Sequence, residues 1–155
     1  MRGSLSRAKR LNTQVALLYL DLDNFKTIND SLGHLAGDRV LQMVADCLRD
    51  CLRLEDVVAR IGGDEFSAIL DDVDSIDDAV ATAERIIASL GDVDCSVGGE
   101  RIQTSIGIAF YPDHGTDAEE LLHRADNAMY TAKRMGKGRC FLAGTSSDDE
   151  ESTGK

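Results

Sequence analysis

The chain has 155 residues, 28 of them Asp or Glu against 17 Lys or Arg, for a formal charge of −11, and 43% are hydrophobic. A chain of this length forms one domain with a substantial core, and its acidity repels a phosphate backbone, which excludes an extended nucleic acid as partner. A small polyphosphate stays open where divalent cations and a local basic cluster bridge it, because hard cations accept carboxylate oxygens on one side and phosphate oxygens on the other.

Residues 1–14 are polar and basic, with Arg2, Arg7, Lys9 and Arg10, and the opening Met-Arg-Gly-Ser reads as a leader outside the fold. Val15 to Leu20 is a continuous apolar run of strand length, as in a central strand buried on both faces. It ends in Asp21-Leu22-Asp23. Residues two apart face the same way in a strand, so Asp21 and Asp23 project together and Leu22 points to the core. An EF-hand reading fails, because Lys26 stands where the loop needs Gly. A short helix with Phe25, Ile28 and Leu32 on one stripe follows, and Gly33 to Gly37 break it. Asp38 is placed to cap a longer helix to about residue 53, with Val40, Leu41, Val44, Leu48, Cys51 and Leu52 inward.

Val57 to Leu70 reads as a β-hairpin whose tip carries Gly62-Gly63-Asp64-Glu65. Glycines at a tip let another molecule approach the backbone, and the carboxylates beside them must be solvated or bound to a cation. Asp71 to Asp74 reads as a solvated turn. Ser75 and Asp78 open the next helix, with Ile76, Ala79, Val80, Ala83, Ile86, Ile87 and Leu90 inward. Gly98-Gly99 turns a strand at Val93 to Val97 into a longer one, Arg101 to Tyr111, which Pro112 stops. Thr116 and Glu119 form a capping box for a helix through Arg134, with Leu121, Leu122, Ala125, Ala128, Met129 and Ala132 inward, and Gly136 ends it. Arg139 to Leu142 forms a final edge strand.

Cys47, Cys51, Cys95 and Cys140 show no Cys-x-x-Cys pair and no His at zinc-ligand spacing, and read as free thiols in a reducing, cytoplasmic setting. No apolar run approaches membrane-spanning length, and no membrane contact is expected of this segment.

This order predicts an α+β fold (an α/β sandwich): a ferredoxin-like or palm βαββαβ antiparallel sheet with helices on one face, plus an extra C-terminal helix and edge strand. The first strand lies between others, and the hairpin's first strand pairs with it. Asp21, Asp23, Asp64 and Glu65 then meet at one sheet edge, where like charges raise each other's pKa and a divalent cation removes the penalty. An all-oxygen donor set favours Mg²⁺ or Mn²⁺. The helix start at Asn24 and Phe25 offers backbone N–H groups to phosphates. Lys133 and Lys137 form the clearest basic cluster, either as phosphate ligands or as favourable charge at a helix C-terminus.

Asp21-Leu-Asp23-Asn-Phe25-Lys26-Thr-Ile28-Asn29-Asp30, Gly33-His34, Gly37-Asp38 and Gly62-Gly63-Asp64-Glu65-Phe66 resemble the GGDEF family, the diguanylate cyclases. The likeness continues through Ser105-Ile106-Gly107-Ile108-Ala109, Ala125-Asp126 and Met129-Tyr130-x-Ala132-Lys133, in family order. It implies a GGDEF domain at 15–143, a leader or truncated N-terminal segment at 1–14, and a disordered acidic tail at 144–155. The implied activity condenses two GTP into cyclic di-GMP with release of two pyrophosphates, in bacterial second-messenger signalling, through a transient homodimer. The resemblance makes Asp21, the Leu22 carbonyl and Asp64 ligands of two Mg²⁺ (or Mn²⁺) ions per active site. Glu65 serves the second metal or the attacking 3′-hydroxyl, and Asp64 is also a candidate to assist deprotonation. Asn29 and Asp38 match guanine-reading positions, which suits guanine's N1–H and N2–H₂ donors. Asn24, Phe25, Lys26, Gly62, Gly63, Lys133 and Lys137 match the substrate-binding set. Arg53, Asp56 and Arg85 match an inhibitory site for cyclic di-GMP, with forks that suit phosphate and guanine edges.

The family's usual Asp-x-Leu-Thr-x-Leu-x-Asn-Arg segment has no counterpart in residues 1–14, so the chain reads as a truncated domain, the cytoplasmic part of a larger and perhaps membrane-anchored protein. The alternative to an active cyclase is an inactive or weak GTP- or cyclic di-GMP-binding regulatory module of a multidomain signalling protein.

Overall fold

The structure, a computed structural model, describes residues 2–93 and 101–144. The described residues form five helices, α1 (Arg2–Leu11), α2 (Phe25–Leu32), α3 (His34–Cys51), α4 (Ile76–Asp92) and α5 (Ala118–Arg134), and five strands, β1 (Val15–Leu22), β2 (Val57–Gly62), β3 (Glu65–Leu70), β4 (Thr104–Tyr111) and β5 (Cys140–Leu142), in the chain order α1-β1-α2-α3-β2-β3-α4-β4-α5-β5. The expected α+β class with a ferredoxin-like core is present. The sheet runs β2-β3-β1-β4-β5, with β1 central.

Three features of the sheet differ from the sequence expectation. The hairpin's second strand, β3, lies beside β1, and β2 forms the edge. Strand β3 is the strongly apolar arm, with Phe66, Ala68, Ile69 and Leu70 buried, whereas β2 is mostly exposed, so burial places β3 inside. The sheet is mixed, since β5 joins β4 in parallel. Helices also cover both faces. Ala16, Leu18, Leu20 and Leu22 of β1 meet the apolar stripes of α3 and α4. Val15, Leu17 and Tyr19, on the alternate positions, meet Leu5 and Ala8 of α1 and Leu121, Ala125, Ala128 and Met129 of α5. Full burial of a leucine such as Leu17 or Leu18 contributes about 2 kcal/mol, which secures β1 from both sides. The polar, basic composition of residues 1–14 predicts no element, yet α1 forms there because Leu5 and Ala8 make a small apolar stripe that packs on the sheet.

Several local readings shift. Helix α3 begins at His34 with Gly33 as its N-cap, so Asp38 lies inside the helix and is exposed rather than capping. The α5 cap is Asp117, whose side chain accepts from the Glu120 N–H at 2.8 Å, one residue after the expected Thr116. Ser75 caps α4 as expected, accepting from the Asp78 N–H. Asp71 is buried and ion-paired to Arg7 rather than sitting in a solvated turn. Leu32 and Leu122 are partly exposed. Cys95, the strand expected at 93–97 beyond Val93, the Gly98-Gly99 turn and the tail from 145 lie outside the described residues.

Gly107 sets how closely α5 approaches the sheet. A Cβ there would overlap the Ala125 carbonyl oxygen and the Met129 nitrogen, so only glycine lets α5 lie this near to β4. That approach carries Lys133 to the end of β1.

Candidate functional site

Strand alternation continues past the core at the C-terminal end of β1. Tyr19, Asp21 and Asp23 share the α5 face, while Leu22 is buried on the other. The antiparallel register sets Asp21 opposite Glu65. The Leu22 N–H donates to the Asp64 carbonyl at 3.2 Å, which ties the hairpin tip to β1. The two acidic stretches converge as expected, with Asp21, Asp64 and Glu65 around one sheet end.

Lys133 reaches this cluster from α5. Its Nζ stands 2.9 Å from Asp21 Oδ2 and 3.6 Å from Asp23 Oδ1. Burial pushes the Asp21 carboxyl up, Lys133 pulls it down, and Asp64 adds to the rise, so that the net shift is upward. Burial opposes the Lys133 ammonium, but its bond to Asp21 and the charges of Asp23 and Asp64 outweigh it and raise its pKa.

Asp23 has a different role from its neighbour. Its Oδ1 accepts from Ser105 Oγ at 2.7 Å, its Oδ2 accepts from the Gly138 N–H at 3.0 Å, and its own N–H donates to the Gln103 carbonyl at 2.7 Å. Both carboxylate oxygens therefore bind the scaffold, joining β1 to β4 and to the turn after α5. Asp21 Oδ1, by contrast, is buried with no hydrogen-bond partner.

Glu65 is held by a residue that sequence reasoning missed. The Tyr19 hydroxyl donates to Glu65 Oε2 at 2.8 Å, and burial together with that bond pushes the Tyr19 pKa well above its ordinary value. Asp126 of α5 lies in the same field, its carboxyl raised by burial and then by the charges of Glu65 and Asp21. Tyr19 could have been found from alternation, two residues before Asp21. Ser105 and Gly138 could not, because they meet Asp23 only through the register and the α5 turn.

At the tip, Gly63 has φ of +40°, and a Cβ on Gly62 or Gly63 would meet nothing within 4 Å, so the space beside Asp64 is open. Helix α2 starts at Asn24 with no side-chain cap, leaving its first-turn N–H groups at Phe25 and Lys26 uncapped. The Asn24 side chain instead donates to the Arg101 carbonyl at 2.7 Å and accepts from the Gln103 N–H at 3.3 Å. Lys26 is exposed. Asn29 lies against Gly37, where a Cβ would overlap its Oδ1, and Asp38 follows with its side chain exposed. Lys137 is exposed at φ of +63°, its N–H donating to the Ala132 carbonyl.

Arg53, Asp56 and Arg85 are brought together away from this cluster. They line a pocket of about 240 Å³ with Cys51, Asp78 and Thr82. Arg53 Nη2 donates to the Asp71 carbonyl at 2.6 Å, and Arg85 Nη2 to the Cys51 carbonyl at 2.7 Å. Asp56 accepts from the backbone N–H groups of Arg53 at 3.0 Å and Asp71 at 3.2 Å, which fixes the loop that presents Arg53.

For a divalent cation, Asp21 Oδ1 is the informative atom: a desolvated carboxylate oxygen without a donor fits a hard ion, and the Asp64 and Glu65 carboxylates near it offer oxygens of the same kind. Among the described residues no three His, Cys, Asp or Glu side chains are grouped to hold an ion by themselves, so an ion here must draw oxygens from elsewhere, as Mg²⁺ does from phosphates. Among the described residues no helix is long and apolar enough to cross a membrane.

The model of the family described as "Diguanylate cyclase, GGDEF domain" matches residues 1–139. The chain is 48% identical over 147 residues to the diguanylate cyclase TpbB of Pseudomonas aeruginosa, covering 91% of this chain and 34% of that protein. It is 42% identical over 130 residues to the cyclic di-GMP phosphodiesterase PdeR of Escherichia coli, covering 83% of this chain and 19% of that one. The chain thus spans about a third or less of these relatives. The GGDEF domain of TpbB superposes with a TM-score of 0.90 at 42% identity, covering 97% of this chain and 88% of that structure.

Proposed function

Because this chain belongs to the diguanylate cyclase GGDEF domain family, we propose that it condenses two GTP molecules into cyclic di-GMP with release of two pyrophosphates, working as a transient homodimer in the cytoplasm. The observation that carries this reading is the meeting of Asp21, Asp64 and Glu65 beside Lys133 at the end of β1.

In this reading the uncapped first turn of α2 binds phosphate oxygens through the Phe25 and Lys26 N–H groups. Lys26, Lys133 and Lys137 meet phosphate charge, and the open backbone at Gly62 and Gly63 lets the nucleotide lie against the tip. Asp38 accepts from guanine N1–H and N2–H₂, and Asn29 pairs with the guanine edge. Glu65, aimed by Tyr19, accepts the hydrogen bond of a 3′-hydroxyl, and Asp64 assists its deprotonation. The freed 3′-oxygen of one GTP bonds the α-phosphorus of the other as the bond to pyrophosphate breaks, and the reaction runs twice across two facing domains. Mg²⁺ or Mn²⁺, two per site, would be held by Asp21, the Leu22 carbonyl, Asp64 and Glu65 and would supply positive charge against the phosphates. Cyclic di-GMP would bind in turn at Arg53, Asp56 and Arg85, whose shared pocket supports an inhibitory role.

The test is product formation from GTP and Mg²⁺ by this chain, alone and fused to a dimerising coiled coil. Cyclic di-GMP should appear, and Asp64→Ala should abolish it; equal product from both proteins would overturn the assignment. A second reading, a GTP- or cyclic di-GMP-binding regulatory module, is supported by the likeness to a protein named a phosphodiesterase. Calorimetric binding of GTP with no product in the forced dimer would favour it.

A further inference from the structure

We propose that Lys133 is the resident counter-cation of Asp21 in the nucleotide-free protein, and that the divalent ion takes its place, so that Asp21 accepts the ion only with a triphosphate that gives the ammonium a new partner. This rests on the metal and phosphate assignments made under the proposed function and adds an order of events to them.

The geometry behind it is asymmetric. Asp21 Oδ2 is engaged by Lys133 at 2.9 Å, while Oδ1 is buried and has no donor. The side chains of Lys133 and Asp21 are 25% and 18% exposed, so water screens the pair only partly. An ion at Oδ1 would lie within a few ångströms of the ammonium on the same carboxylate. Two cations at that separation repel strongly at a partly desolvated site. Lys133 therefore opposes metal entry as long as it stays on Asp21.

Asp23 gives the ammonium somewhere to turn. Its oxygens are held by Ser105 and Gly138, so it stays put when the cluster changes charge, and its Oδ1 is 3.6 Å from Lys133 Nζ. The head group can swing from Asp21 while still facing Asp23. Incoming phosphate oxygens then take the donors that Asp21 had used. The carboxylate exchanges a monovalent partner for a divalent one, and the lysine exchanges a carboxylate for a phosphate.

The experiment is titration of Mn²⁺ followed by the electron paramagnetic resonance signal of the free ion, without nucleotide and with 3′-deoxy-GTP, which lacks the attacking hydroxyl. Without nucleotide, Lys133→Met should bind Mn²⁺ at least about tenfold more tightly than wild type, Lys133→Arg should match wild type, and adding Asp21→Asn to Lys133→Met should remove the gain. Lys133→Gln supplies the same reading if the Met variant folds poorly. Affinity of both neutral variants equal to or below wild type would overturn the exchange. A separate outcome tests the underlying reading: if Asp21→Asn leaves Mn²⁺ binding with 3′-deoxy-GTP unchanged, the metal assignment itself fails.

Discussion

Asp21 of β1 and Glu65 of β3 are direct register partners, and the Tyr19 hydroxyl, two residues before Asp21 on the same face, donates to Glu65 at 2.8 Å. The sheet itself therefore aims the Glu65 carboxylate. Tyr19→Phe removes one charge-assisted hydrogen bond while keeping the buried ring. It should lower kcat for cyclic di-GMP formation about tenfold with little change in KM for GTP. Steady-state kinetics check this, and unchanged kcat would mean that Tyr19 does not orient Glu65.

Gly37 leaves the space in which the Asn29 side chain sits. In Gly37→Ala the clash falls on the end of a side chain rather than on backbone, so the fold should survive while Asn29 turns away. KM for GTP should rise about tenfold and discrimination against ATP should weaken, with the melting temperature nearly unchanged. Competition assays with both nucleotides decide it.

Gly107 presents the opposite case, because a Cβ there would strike the Ala125 carbonyl and the Met129 nitrogen of α5. Gly107→Ala must push a whole helix from the sheet, at a cost of about 3 kcal/mol and a fall in melting temperature of roughly 10 °C. Thermal denaturation by circular dichroism measures it.

Arg85 and Arg53 line one pocket, each guanidinium resting on a backbone carbonyl. If that pocket takes cyclic di-GMP, Arg85→Ala should raise the concentration for half-inhibition at least about tenfold. Inhibition curves with added product test this, and superimposable curves would remove the pocket from regulation.

Cys47 is half-buried beside Cys51, and burial first, then the neighbouring thiol, push its pKa from 9.0 to about 12. The folded chain thus keeps a proton that the unfolded chain releases near 9. The stability from this group is present below about pH 9 and is lost as pH rises toward 12. At pH 8, iodoacetamide should alkylate Cys47 more slowly in the folded protein than in urea, as mass spectrometry would show.

The elements after α1 were legible in the sequence because their periodicity is local. Val15 to Leu20 is an apolar run of strand length, as in a strand buried on both faces, and the stripes on α3, α4 and α5 repeat at helical spacing. The acidic stretches at Asp21 and Asp64 were legible for the same reason, each standing where an apolar run stops. Local signals also misled: Asp38 and Thr116 have capping chemistry, but the helices start at His34 and Ala118.

Which residues line each strand and most of each helix face follows from local periodicity, because side-chain direction depends on a period that needs no partner; Leu32 and Leu122, on inward stripes by spacing, are the partly exposed exceptions. The assembled fold was needed to set β3 rather than β2 beside β1, to lay α5 over the second face, and to bind Asp23 to Ser105 and Gly138 while Asp21 keeps a bare oxygen beside Lys133. Alternation says which way a carboxylate points but not what arrives opposite it. That depends on register and on how near Gly107 lets α5 come.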